Sequence, residues 1–88
     1  MDLTLGQVVY SKAGRDKGKK FIVVEMVDDL YVKISDGDLR RIENPKLKKM
    51  KHLQVTGEII LPLKEKLENK ARVSNAEIRK ALEVTGDL

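Results

Sequence analysis

The chain has no cysteine and no tryptophan among its 88 residues, and only two prolines. Without cysteine it can build neither a disulfide framework nor a thiolate metal site. Aromatic side chains are confined to Tyr10, Phe21 and Tyr31, so any core must be aliphatic. Uninterrupted apolar runs stop at about four residues, far short of the ~20 a bilayer-spanning helix needs. The opening residues, MDLTLGQ, have neither a basic start nor a long apolar stretch, so a signal peptide is not expected and a soluble cytoplasmic protein is. His52 is the sole histidine, with no Ser-His-Asp or Cys-His grouping in sight, which argues against an enzyme.

What the chain has in quantity is charge. The net charge is +4, and it is unevenly placed. Lysines and arginines balance aspartates and glutamates over residues 1–45 and again over residues 57–88. The whole excess, Lys46, Lys48, Lys49 and Lys51, falls in PKLKKMKHLQVT, where no acid stands. A local cationic segment of this kind points to a polyanionic partner more than to general solubility.

A second basic feature is AGRDKGKKF, Ala13 to Phe21, between the apolar runs Val8-Val9-Tyr10 and Phe21-Ile22-Val23-Val24. Gly14 and Gly18 mark a loop, since glycine takes positive φ without steric cost. Lys12, Arg15, Lys17, Lys19 and Lys20 crowd in and around it, with Asp16 as its lone acid. Without further context such a loop reads equally as a solvated hairpin tip or as a grip on a polyanion.

Alternation predicts strands over Gln7–Lys12, Lys20–Val27 and Leu30–Ser35. The second is apolar on both faces (Ile22, Val24, Met26 against Phe21, Val23), so it is expected to be central or covered on its outer side. Asp28-Asp29 makes a turn, and Asp36-Gly37 predicts a two-residue type I′ hairpin leading to a fourth strand, Leu39–Glu43, with Arg40 and Arg41. Asn44-Pro45 breaks that strand, and a short last one around Met50–Val55 brings Leu53 and Val55 to the core. Met26 and Met50 read as gap-filling core residues. Regular strands alternate faces, so Lys46, Lys48, Lys49 and Lys51 cannot all point one way, and with Pro45 at its start this segment is expected to be partly loop. Thr56-Gly57 ends the β-rich portion. Beyond it, Pro62 with Leu63, Leu67 and Ala71 predicts a helix through PLKEKLENKA. Ser74-Asn75-Ala76-Glu77 is a capping box opening another to about Glu83, its apolar stripe Ile78, Ala81 and Leu82. Both are too short to persist alone and must dock on something. The division expected is residues 1–56, a mainly β small barrel of about five strands, and residues 57–88, two short C-terminal helices.

The stretch VVYSKAGRDKGKKFIVVEMVDDLYVKI, Val8 to Ile34, resembles the KOW motif, a pattern of alternating hydrophobics with a glycine that falls here on Gly18. With its continuation DGDLRRIENPKLKKMKHLQVT, it is similar to the KOW-containing large-subunit ribosomal proteins of archaea and eukaryotes and their short bacterial relatives. The resemblance covers about residues 5–56, and the last 32 residues are expected to be shared only with the bacterial relatives. It implies an SH3-like barrel that binds ribosomal or other structured RNA in translation, with ribosomal proteins as further partners and no cofactor, membrane or small-molecule substrate. Carried over residue by residue, RNA contact falls on Lys12, Arg15, Lys17, Gly18, Lys19 and Lys20, then on Lys46, Lys48, Lys49, Lys51 and His52.

Other readings of these residues are weaker. GRDKGKK departs from a nucleotide-binding P-loop in glycine spacing, in lacking a Ser or Thr after the lysine, and in leading to a strand. Asp28 and Asp29 stand at the opposite end of the third strand from Asp36 and Asp38, with Asp29 about 23 Å from Asp36 at ~3.3 Å per residue, too far to share an ion, so these aspartates are expected to make turns. Arg40 or Arg41 points outward from the expected fourth strand, where its guanidinium can stack on a base or fork a phosphate, and Tyr31 offers a stacking platform. The alternative is a protein-interaction module, an SH3-like barrel whose C-terminal helices dock a partner through Ile78 and Leu82.

Overall fold

The computed structural model describes residues 2–85. The first three strands form where alternation places them, as β1 (Gln7–Ser11), β2 (Lys20–Met26) and β3 (Tyr31–Ser35). With β4 (Lys46–Lys49) and β5 (Leu53–Ile59) they make one antiparallel sheet in the order β4-β3-β2-β1-β5. β4 and β5 are opposite edges, yet only the 3₁₀ turn Met50–His52 joins them. In a flat sheet, four spacings of ~4.8 Å hold the two edges about 19 Å apart. A 3₁₀ turn rises ~2 Å per residue, so this link reaches less than half that distance. The sheet must therefore curl until its edges approach. The result is the expected small SH3-like fold, as a curled open sheet and not a closed barrel.

The curl separates two cores. Val9, Phe21, Val23, Val32, Ile34 and Leu53 fill its interior with no exposure. Val8, Ile22 and Val24 face the other way and are covered by Leu63 of α1 (Leu61–Glu68), Val73, and Ile78 and Leu82 of α2 (Asn75–Glu83). That is why β2 is apolar on both faces. Burying Ile78 and Leu82 contributes ~1.5–3 kcal/mol each, which holds helices too short to survive alone. The capping box is present: Ser74 Oγ accepts from the Glu77 amide at 3.1 Å, while the Glu77 carboxylate accepts from the Ser74 amide at 3.5 Å. α1 stops short of Ala71, whose amide donates to the Lys66 carbonyl at 2.8 Å while that of Lys70 donates to Leu67 at 3.2 Å.

Four expectations fail for identifiable reasons. Leu39–Glu43 is not a strand, because side chains take its backbone donors: Asp36 Oδ1 accepts from the amide of Arg40 (2.8 Å), and Asn75 Oδ1 from that of Ile42 (2.8 Å). Asp36-Gly37 is accordingly no type I′ turn, since of the two only Gly37 has positive φ (+74°). The fourth strand is the basic segment itself, Lys46–Lys49, with Pro45 just outside the ladder where its missing donor costs nothing. The last strand starts later and runs longer than Met50–Val55, passing through Thr56-Gly57 to Ile59. The register with β1 shifts there, and Gln7 Nε2 donates to the Thr56 carbonyl (3.0 Å) while Thr56 Oγ1 donates to that of Val8 (2.7 Å). A threonine-glycine pair that looks like a terminator is an irregularity patched by two side chains. Met26 is exposed where core was expected; Met50 packs against the inner core.

Candidate nucleic-acid interface

The loop between β1 and β2 is ordered by its own backbone. The amide of Gly18 donates to the Ser11 carbonyl at 2.8 Å, that of Lys19 to Asp16 at 2.9 Å and that of Lys17 to Gly14 at 3.2 Å. Gly14 and Gly18 take φ of +78° and +84°, so the chain reverses at these two points without strain. Lys12, Arg15, Lys17, Gly18 and Lys19 are exposed, and Lys20 is half-buried. Asp16 turns inward: it is 5% exposed, and its Oδ2 accepts from Arg40 Nε at 3.0 Å. The lone acid of the loop is thus its anchor.

Because the sheet curls, the second basic segment meets this loop. Lys48 Nζ donates to the Ala13 carbonyl at 2.9 Å, and the Lys12 amide donates to the His52 carbonyl at 2.8 Å. Opposed residues of an antiparallel ladder share a face. Lys46 and Lys48, opposite Ile34 and Val32, therefore lie on one face of β4, and Lys49, opposite Tyr31, on the other. Lys49 Nζ stands 5.9 Å from the centroid of the Tyr31 ring, a weak cation–π contact over the expected stacking platform. Lys51 is exposed and His52 half-buried in the 3₁₀ turn beside Lys12. The segment is regular strand from Lys46 to Lys49, where Pro45 was expected to disturb it, and leaves the strand only at its end, in the 3₁₀ turn that holds Lys51.

The two arginines of the 36–45 loop go separate ways. Arg40 is drawn to Asp16, with its side chain 30% exposed; Arg41 reaches outward, 55% exposed, and stands 3.5 Å from Glu43. Glu43 Oε1 also accepts from Asn75 Nδ2 at 2.6 Å. Its own backbone amide, then Asn75 and Arg41, hold the Glu43 carboxyl below the ordinary value against a partial desolvation. The turn aspartates behave as expected where their bonds are seen: Asp28 Oδ1 accepts from the amides of Leu30 and Tyr31, both at 2.8 Å. Sequence reasoning missed the anchoring of Asp16 and the bridging of Asn75. A single acid among cations was the one visible hint of the first.

A curled five-stranded sheet, which brings Lys48 of its basic edge strand onto the basic glycine loop and carries helices on its outer face, defines a small SH3-like basic module. No protein-family model matches the chain. It is 35% identical over 85 residues to large ribosomal subunit protein eL14 of Pyrobaculum calidifontis, an alignment covering 96% of this chain and 75% of that protein. The figures for eL14 of Pyrobaculum arsenaticum are the same, and for that of Hyperthermus butylicus they are 30% over 89 residues, 96% and 79%. The chain belongs to the eL14 family of large ribosomal subunit proteins. The resemblance to KOW-containing large-subunit ribosomal proteins is thereby borne out. Its supposed limit is not, because the alignment covers 96% of the chain and so runs well past residue 56.

Proposed function

We propose that the chain is a non-enzymatic RNA-binding protein of the translation apparatus, cytoplasmic, which grips large-subunit ribosomal RNA with its two basic segments and has ribosomal proteins as neighbours. The observation that carries this reading is the meeting of Lys12–Lys20 with Lys46–His52, joined by Lys48 Nζ on the Ala13 carbonyl. Lys48 and His52 thus touch a cationic loop about thirty residues away in the chain, and that loop is held in shape before any partner arrives. Preorganised cations bind a phosphate backbone with less ordering cost. With three aromatics in the chain, recognition rests on shape and phosphate more than on stacking along a single strand. Membership of a ribosomal protein family supports the same reading.

The test is binding of the intact chain to transcribed large-subunit ribosomal RNA over a salt series. If ~5 cations neutralise phosphates, affinity falls about a hundredfold to five-hundredfold between 50 and 200 mM salt. Lys17→Glu and Lys19→Glu together weaken binding by at least tenfold. Binding indifferent to salt, or unaffected by those two changes, refutes the reading.

A further inference from the structure

A second group of cations lies away from the glycine loop, where the 36–45 loop meets the segment leading into α2. Arg41, Arg72 and Arg79 line a cleft of about 460 Å³ there, together with Glu43, Ser74 and Asn75. Asn75 fixes its two walls to each other, accepting from the Ile42 amide at 2.8 Å and donating to Glu43 Oε1 at 2.6 Å. Glu43 is the only acid in the lining and is already engaged by Arg41 and Asn75, so the cleft keeps positive charge in excess. Arg79 Nη1 donates to the Gly37 carbonyl at 2.6 Å, which places that guanidinium and leaves its other N–H groups for a ligand. Arg72 is exposed and makes no hydrogen bond or ion pair among the described residues. Ser74 Oγ takes the Glu77 amide at the start of α2, and the site is built from the side-chain charge of its arginines and not from the helix end.

Two further observations choose the partner. The apolar stripe of α2, Ile78 and Leu82, is spent on Val8, Ile22 and Val24, so that stripe is not free to dock on another protein. In the 36–45 loop, adjacent residues serve both regions: Arg40 ties to Asp16 of the glycine loop, and Arg41 lines the cleft. A strand of phosphates that follows this loop meets both.

We infer that the cleft of Arg41, Arg72 and Arg79 is a second phosphodiester-binding site, through which the C-terminal segment grips the same RNA as the glycine loop. This rests on the RNA-binding reading above. Guanidinium is suited to the role, because its planar fork donates two parallel hydrogen bonds to phosphate oxygens. Asp36, Asp38 and Glu83, on the far side of Arg79, give the site an acidic border that an RNA backbone avoids.

The test compares Arg41→Ala/Arg72→Ala with Lys80→Ala, an exposed cation of α2 outside the cleft, and with Lys17→Ala/Lys19→Ala in the loop. All are titrated with transcribed large-subunit ribosomal RNA over a salt series, with circular dichroism to verify folding. The cleft variant is expected to lose about tenfold in affinity and to lower the slope of log affinity against log salt by roughly 1.5, while Lys80→Ala leaves both unchanged. If the parent binds and the loop variant weakens but the cleft variant matches the parent, the inference falls. An equal loss from Lys80→Ala also overturns it, since any lost cation would then do the same. A parent that fails to bind overturns the RNA reading itself, and this inference with it.

Discussion

The ion pair that anchors the glycine loop makes an asymmetric prediction. Asp16 and Arg40 meet at 3.0 Å, with side-chain exposures of 6% and 30%. Arg40→Ala strands a carboxylate in a place where water barely reaches, and no other side chain bonds it among the described residues. Removing the partner of a buried charged group costs about 2–3 kcal/mol at this degree of burial. Asp16→Ala leaves an arginine that can swing its head into solvent, so the loss is closer to ~1 kcal/mol. The double variant removes both charges and should cost about 1–1.5 kcal/mol less than the sum of the singles. Urea denaturation of the four proteins, followed by far-ultraviolet circular dichroism, measures all three quantities. The reasoning is refuted if Asp16→Ala costs as much as Arg40→Ala, or if the two add within ~0.3 kcal/mol. The same double variant bears on function, since it keeps the net charge at +4. A drop in RNA affinity with an unchanged salt slope reads loop placement and not charge.

Three other expectations follow from backbone and carboxylates. Lys70 holds φ +57° in the turn that closes α1, a left-handed position glycine occupies at lower cost, so Lys70→Gly should raise stability by about 0.5–1 kcal/mol in denaturation, and a loss would contradict the turn described. Gly37→Ala should cost about 2–3 kcal/mol, because its φ of +74° is strained for alanine and the new methyl runs into the Asn75 carbonyl and lies 3.1 Å from Arg79 Cγ; Gly18→Ala, at φ +84° but in open space, should cost only ~1 kcal/mol. Glu77, held below the usual 4.5 chiefly by its hydrogen bond to Lys66 and then by the Ser74 amide, and Glu43 are both lowered on folding. Their stabilisation is therefore complete above that value and is lost as pH falls through their folded values; Glu77→Gln should flatten part of the acid side of a stability-against-pH curve, and an unchanged acid side would rule the effect out.

Much of this fold was legible because period-two alternation and a covered sheet go together. Val8 and Val9 part to the two cores as their positions require, and so do Ile22 and Val24 against Phe21 and Val23. The capping box was legible too, because it is a local device written in four adjacent residues. What the sequence hid was tertiary. The backbone of Leu39–Glu43 is diverted by Asp36 and by an asparagine more than thirty residues on, which no local pattern reveals. The continuation of β5 through Thr56-Gly57 depends on Gln7, on another strand. Of the candidate site, the two basic segments were plain, but their meeting was not, since it follows from a curl that the short Met50–His52 link imposes.

The lysines of β4 invite a second explanation, that they guard a sheet edge against pairing with another chain. β4 is an edge, and Lys46 and Lys49 on its two faces serve that purpose well. Edge protection has no use, however, for Lys51, which lies beyond the strand in the 3₁₀ turn, nor for the exposed cations of a loop on a different pair of strands. Nor does it require Lys48 to leave solvent for the Ala13 carbonyl. An edge guarded by charge works wherever the charges sit along it. Here Lys46 and Lys48 stand toward the glycine loop, with Lys48 bonded to it, while Lys49 and Lys51 lie beside Asp29 and Leu30 in the turn at the other end of β2. A bond that fixes a cationic strand against a cationic loop suits a phosphate backbone and has no use in an edge guard.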